Sequence, residues 1–107
     1  MTKQLNLPAD ETDGIILKRI STPYNIISAI TRKIAWSSGK NTVVVNTGFF
    51  KDMDQVYVRG KKDAGPLIKR GKELGFKCGG KKEVLGAIVP KDQTDSYVDE
   101  ILKFLSR

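Results

Sequence analysis

The chain of 107 residues holds enough material for one hydrophobic core and too little for two ordinary domains, and its 39% apolar and 29% charged residues exclude a disordered segment. The absence of histidine removes the commonest metal ligand and the commonest general base together, and the single Cys78 excludes an intramolecular disulfide. The formal charge is +7, and its distribution matters more than its size: residues 59–82 carry nine basic side chains against two acidic ones, whereas the rest of the chain holds ten of each sign.

No apolar run approaches the roughly 20 residues needed to span a bilayer, and the polar N-terminus has no apolar signal core. A cytoplasmic location without membrane attachment is expected. Residues 1–13, MTKQLNLPADETD, show neither a helical nor an alternating apolar stripe and are expected to form a flexible arm ahead of one domain spanning residues 14–107. Residues 14–20, GIILKRI, are a short strand candidate bounded by Gly14 and by Ser21-Thr22-Pro23.

Thr22 followed by Pro23 has the pattern of a helix start, an oxygen to cap the first amides and then a ring whose φ is already helical. Ile26, Ile27, Ile30 and Ile34 lay one apolar stripe, and Gly39 is placed to end the helix in a left-handed conformation, so a helix is predicted over residues 23–38. Trp36, near its end, is either a core plug or a platform for stacking a base; a single tryptophan beside a helix terminus favours packing.

Residues 41–46, NTVVVN, form a β-branched run without polar alternation, as in a strand covered on both faces. A turn with Phe49 and Phe50 follows. In residues 55–59, QVYVR, the alternation sends Val56 and Val58 to the core and leaves Gln55, Tyr57 and Arg59 on the outward face. The loop GKKDAG supplies Lys61 and Lys62, and Pro66 opens a second helix with Leu67, Ile68 and Leu74 on one side, Gly71 for close approach, and Lys69, Arg70, Lys72 and Glu73 around the rest. A solvated face explains such a helix by itself; the lysines continuing through the next turn favour a binding surface.

Residues 76–83, FKCGGKKE, read as a glycine-rich turn, and residues 84–89, VLGAIV, as a buried strand with Gly86 inside it, a position that commonly marks close approach by a backbone or a ligand. Pro90 stops that strand. Residues 92–107 have early acids, late bases and Val98, Ile101, Leu102 and Leu105 at helical spacing, which predicts a structural final helix. The expected fold is α/β with α+β character: a three- to four-stranded sheet with about three packed helices, in the order β-α-β-β-α-β-α.

The stretch Gly79-Gly80-Lys81-Lys82-Glu83-Val84-Leu85-Gly86 resembles the signature of the DHH-associated domain, a glycine pair and histidine, any two residues, two small residues and a glycine. That domain is the C-terminal, substrate-binding module of the RecJ-type DHH phosphoesterases. QVYVRG resembles its strand ending in arginine, and the likeness in element order runs from about Ile15 to Leu105. Lys81 stands at the histidine position and Val84-Leu85 at the small pair. The resemblance implies that Arg59, Gly79, Gly80 and Lys81 line a nucleotide-binding groove. It also implies a non-catalytic role, since the aspartate- and histidine-rich metal motifs of the DHH catalytic domain do not occur in the sequence; no metal or other cofactor is expected.

The residues themselves support a site for nucleic-acid backbone. Glycines 79 and 80 let main-chain N–H groups approach a phosphate, Lys77, Lys81 and Lys82 add point charges, Arg59 suits bidentate phosphate binding, and Tyr57 on the same strand face suits base stacking. With Lys61, Lys62, Lys69, Arg70 and Lys72 these residues are expected to grip single-stranded DNA or RNA with strong salt dependence. Cys78 has no histidine to activate it and is read as incidental or semi-buried. The competing function is an interaction subunit of a larger assembly: an archaeal replication complex, as the resemblance implies, a ribonucleoprotein such as the ribosome, or a separate DHH nuclease chain, with Phe49 and Phe50 as exposed contacts. An enzymatic role resting on Asp52 and Asp54 is disfavoured, because a lone D-x-D pair is more often a turn-former than a metal site.

Overall fold

In the computed structural model, which describes residues 9–12 and 14–106, the chain order is β1 (Ala9–Thr12), β2 (Ile15–Ile20), α1 (Ile27–Ser38), β3 (Asn41–Asn46), β4 (Met53–Arg59), α2 (Gly65–Glu73), β5 (Lys77–Lys81), β6 (Val84–Pro90) and, after a 3-10 turn, α3 (Thr94–Leu105). The strands form one six-stranded sheet in the order β1-β2-β3-β4-β6-β5. β2 and β3 run parallel, as the crossover through α1 requires, and every other pair is antiparallel. The α+β architecture and the three helices agree with expectation, but the sheet has two more strands than the upper expectation of four.

Both additional strands lie where the sequence has weak strand propensity. β1 falls within the stretch expected to be an arm and pairs Ala9 with Lys18 through Thr12 with Ile15; residues 1–8 of that stretch lie outside the described residues. β5 is the supposed glycine turn: Lys77 to Lys81 pair along β6, Gly79 opposite Gly86 and Gly80 opposite Leu85, and the reversal itself is confined to Lys82 and Glu83.

The sheet buries both faces unequally. Ile15, Leu17, Val43, Val45, Val56, Val58, Leu85, Ala87 and Val89 alternate onto the face covered by α2 and α3, where they meet Leu67, Phe76, Tyr97, Val98, Ile101 and Leu105. The opposite face is capped by α1 alone, through Ile27 against Ile20 and Val44, with Ile30 and Ile34 beside them. β3 is therefore the strand covered on both sides that its unbroken valines predict. Each such side chain contributes about 1.5–3 kcal/mol by leaving water.

Helix α1 begins at Ile27, not at Thr22 or Pro23: the Thr22 hydroxyl accepts the Tyr24 N–H at 3.3 Å in a local turn, and the Thr22 backbone is held by Asn46. The Thr22 amide donates to Asn46 Oδ1 at 3.0 Å, and Asn46 Nδ2 donates to the Thr22 carbonyl at 3.1 Å and to Gln55 Oε1 at 3.0 Å. Gln55 in turn donates to Asn25 Oδ1 at 3.1 Å. This buried amide network ties the segment entering α1 to the ends of β3 and β4. The helix stops as expected at Gly39, with φ 69° and its N–H on the Ala35 carbonyl at 2.9 Å.

Asp54, expected in a turn, is buried on β4. Its carboxylate receives Lys91 Nζ at 2.6 Å and the Thr94 hydroxyl at 2.8 Å, so it anchors the start of α3. Close approach at Gly71 is as expected: a Cβ there would lie 2.7 Å from Tyr97 Oη and 2.8 Å from Cys78 Sγ. Cys78 packs beneath α2, its Sγ 3.2 Å from the Ile68 carbonyl oxygen, and burial pushes its thiol pKa up, opposite to the direction a nucleophile needs.

Tyr97 donates to the Leu67 carbonyl at 3.1 Å and meets Phe76 edge-on with ring centroids 5.1 Å apart. Burial holds its phenol far above its ordinary 10.0. Below that ordinary value the group is protonated in both states; as pH rises past it the unfolded chain releases the proton and the folded chain keeps it, so stability falls. Urea melts are expected to lose up to about 1.4 kcal/mol of stability per pH unit above about pH 10, and Tyr97→Phe to flatten that slope. An unchanged slope in the variant would assign the alkaline sensitivity to other groups.

Candidate nucleic-acid interface

Because α1 packs mainly on β3 and β4, with Ile27 also reaching Ile20 of β2, β6 and β5 extend beyond it and leave part of that sheet face open. Alternate residues face this opening: Tyr57 and Arg59 from β4, Gly86 from β6, and Lys77, Gly79 and Lys81 from β5. Gly79, Gly86 and Tyr57 form a row across three neighbouring strands. The Tyr57 ring lies over Gly86, where a Cβ would come within 2.7 Å of Tyr57 Cε1, and so the glycine inside β6 accommodates a close approach, here by an aromatic ring. At Gly79 a Cβ would meet nothing within 4 Å. The row thus makes a floor that is aromatic at one end and bare at the other.

Two cavities lie along this floor. One, of about 480 Å³, is lined by Asn25, Ser28, Gln55, Tyr57, Lys77, Gly79, Gly86 and Ile88 among others. The next, of about 320 Å³, is lined by Ser28, Arg32, Tyr57, Arg59, Gly80, Lys81 and Val84. Ser28 and Tyr57 belong to both, so the cavities form one groove between α1 and β5. Lys77 stands in one half and Arg32, Arg59 and Lys81 in the other; no carboxylate lines either half. Four fixed cations around an open glycine floor, with amides and a hydroxyl between them, suit a polyanionic chain with intervening flat groups.

The hairpin that carries Lys81 is held from behind. The Gly60 N–H donates to the Glu83 carbonyl at 3.1 Å and the Ala64 N–H to the Lys82 carbonyl, tying the loop after β4 to the β5–β6 reversal. Gly80 sets the strand's path: its φ is 156°, and a Cβ there would run into the Val84 carbonyl oxygen across the hairpin.

No family model matches the sequence, and no curated protein matches it. Solved structures match through their fold. RecJ from Thermus thermophilus, in complex with Mg2+, superposes with a TM-score of 0.72 at 17% identity over 98% of this chain and 16% of its own. The fold resembles one domain-sized stretch of RecJ. The C-Ala domain of Aquifex aeolicus alanyl-tRNA synthetase gives 0.68 at 14% identity, covering 94% of this chain and all of that domain. The pGpG-specific phosphodiesterase PggH from Vibrio gives 0.65 at 11% identity over 96% of this chain and 36% of its own. This chain therefore spans a small part of RecJ's length, and the likeness is one of fold.

In this RecJ-like fold the twelve residues singled out from the sequence do not share one surface. Tyr57, Arg59, Lys77, Gly79, Gly80 and Lys81 line the groove. Lys69, Arg70 and Lys72 do not, because α2 packs against the opposite face of the sheet. Arg70 there is engaged with Glu100 of α3 at 2.8 Å and Glu73 at 3.9 Å, and the bond to Glu100 raises its pKa. Lys62 reaches the Phe104 carbonyl at 3.0 Å near the end of α3. Lys61 is exposed on the loop and Lys82 at the hairpin tip, outside the groove lining.

The sequence reading missed Asn25, Ser28, Arg32 and Gln55. Ser28, Arg32 and Trp36 recur every fourth residue beside the isoleucine stripe of α1, a signal present in the sequence but overshadowed by the charge of residues 59–82. Trp36 is not a core plug; it is 71% exposed. Phe49 and Phe50, expected as exposed contacts, are half-buried against each other edge-on with centroids at 4.7 Å. Among the described residues no three histidine, cysteine, aspartate or glutamate side chains gather as a metal site, and no helix is long and apolar enough to cross a membrane.

Proposed function

We propose that this chain is a non-catalytic nucleic-acid-binding module of the DHH-associated type, gripping the backbone of single-stranded DNA or RNA in the groove between α1 and β5. The observation that carries this reading is the groove lining of Arg32, Arg59, Lys77 and Lys81, without a carboxylate, over a floor bared by Gly79. Phosphates lie against the cations, Arg32 and Arg59 offering paired N–H donors, while Tyr57 stacks a base. Lys81 supplies a cation where the DHH-associated signature has histidine.

Filter binding of single-stranded DNA and RNA at several salt concentrations tests the proposal. Binding at low salt should weaken with a log–log slope near −2.8, since each of about four neutralised single-strand phosphates contributes roughly −0.7. No retention of either strand at low salt would overturn it. A second role, as a subunit docked on a replication or ribonucleoprotein assembly, is favoured by Tyr24, 64% exposed ahead of α1. Affinity capture from native cells that recovers nucleic acid but no stoichiometric protein would remove that role.

A further inference from the structure

We infer that the bound strand continues beyond the groove onto the outer side of α1, where Trp36 stacks an unpaired base and Arg32 and Arg59 take the phosphates beside it. The inference rests on the groove reading and extends it along α1. Trp36 is the only tryptophan in the chain and is left 71% exposed, a large apolar ring without a packing role in the core.

What surrounds the indole is cationic. The Arg32 guanidinium carbon lies 5.5 Å from the ring centroid and that of Arg59 lies 5.8 Å from it. Both arginines also line the groove half that contains Lys81, so they join the indole to the groove. On its far side Trp36 borders a further cavity of about 580 Å³ with Ala29, Arg32, Lys33 and Ser37, again without a carboxylate. Among the described residues neither arginine is paired with an acid.

A protein-binding hot spot built on tryptophan is usually a well-packed apolar patch. Here Ala29 is the only other apolar residue lining that cavity, and the remaining charged neighbours are positive. An aromatic face flanked by guanidinium groups suits an unpaired base between two phosphates: the base takes the place of a guanidinium over the ring, and that guanidinium turns onto the adjoining phosphate.

Being the sole tryptophan, Trp36 reports on itself. A labelled single strand of roughly ten nucleotides, enough to run past the groove, is titrated while strand anisotropy and tryptophan emission are followed together. Emission should be quenched with the same midpoint as the anisotropy change, Trp36→Ala should weaken binding about tenfold, and Trp36→Phe should restore most of it. An abasic strand of equal length should bind without quenching. Strand binding with unchanged emission, or equal affinity of Trp36→Ala, would overturn this inference alone and leave Trp36 to a protein partner. No anisotropy change with any strand would overturn the groove reading as well.

Discussion

Reversing both Arg59 and Lys81 to glutamate is expected to weaken single-strand binding by about a hundredfold or more, because each charge-assisted hydrogen bond to a phosphate is worth roughly 1.5–3 kcal/mol. The salt slope should also flatten by about 1.4, the share of two single-strand phosphate contacts. The control is the pair Lys69→Glu with Lys72→Glu, which changes the formal charge equally but acts on α2, across the sheet from the groove. That pair should alter affinity by no more than about threefold at physiological salt, where the Debye length is near 8 Å. Equal losses from both pairs would mean that bulk charge, and not the groove, holds the strand. Thermal melting of all variants separates lost binding from lost folding.

The adjacent glycines of β5 should part company on substitution. Gly80→Ala places a methyl group against the Val84 carbonyl oxygen in a conformation that L residues rarely adopt, and neither backbone can retreat without opening the β5–β6 hairpin. A loss of about 3 kcal/mol is expected, lowering Tm by roughly 15 °C in a domain of this size. At Gly79 a Cβ meets nothing within 4 Å, and Gly79→Val puts a β-branched residue on a strand, so melting should be unchanged or slightly higher. The same side chain fills the groove floor and should weaken strand binding about tenfold, the contribution of one stacked base. A Gly79→Val protein that melts normally and binds normally would remove the floor from the site.

Residues 41–46, 55–59 and 84–89 were legible as strands because the buried positions of a sheet call for β-branched side chains with period two or none. The final helix was legible because its apolar positions and charges agree with one another. Lys77 to Lys81 were not: a strand containing two glycines has little propensity of its own and exists because β6 offers it an edge. The start of α1 was misplaced because Thr22 and Pro23 have the local features of a cap, whereas the Thr22 carbonyl, which would accept the first helical bond, accepts from Asn46, 24 residues away. The site was half legible. Arg59 follows from alternation, Lys77 and Lys81 from charge and Gly79 from the glycine pair, but the division of the basic residues between two faces depends on which side of the sheet α2 covers. Only tertiary packing decides that side.

The Gly79-Gly86-Tyr57 row has a consequence for when the binding surface comes into being. Gly79 and Gly86 meet across a hairpin of seven residues' separation, which closes quickly, but Tyr57 joins them only when β4 pairs with β6, 29 residues further along the chain. The bare floor and its aromatic end therefore come together late, after the whole α2–β5 excursion has been accommodated. A nascent or partly folded chain has the lysines without the groove, so full assembly of the sheet turns a diffuse basic segment into a receptor.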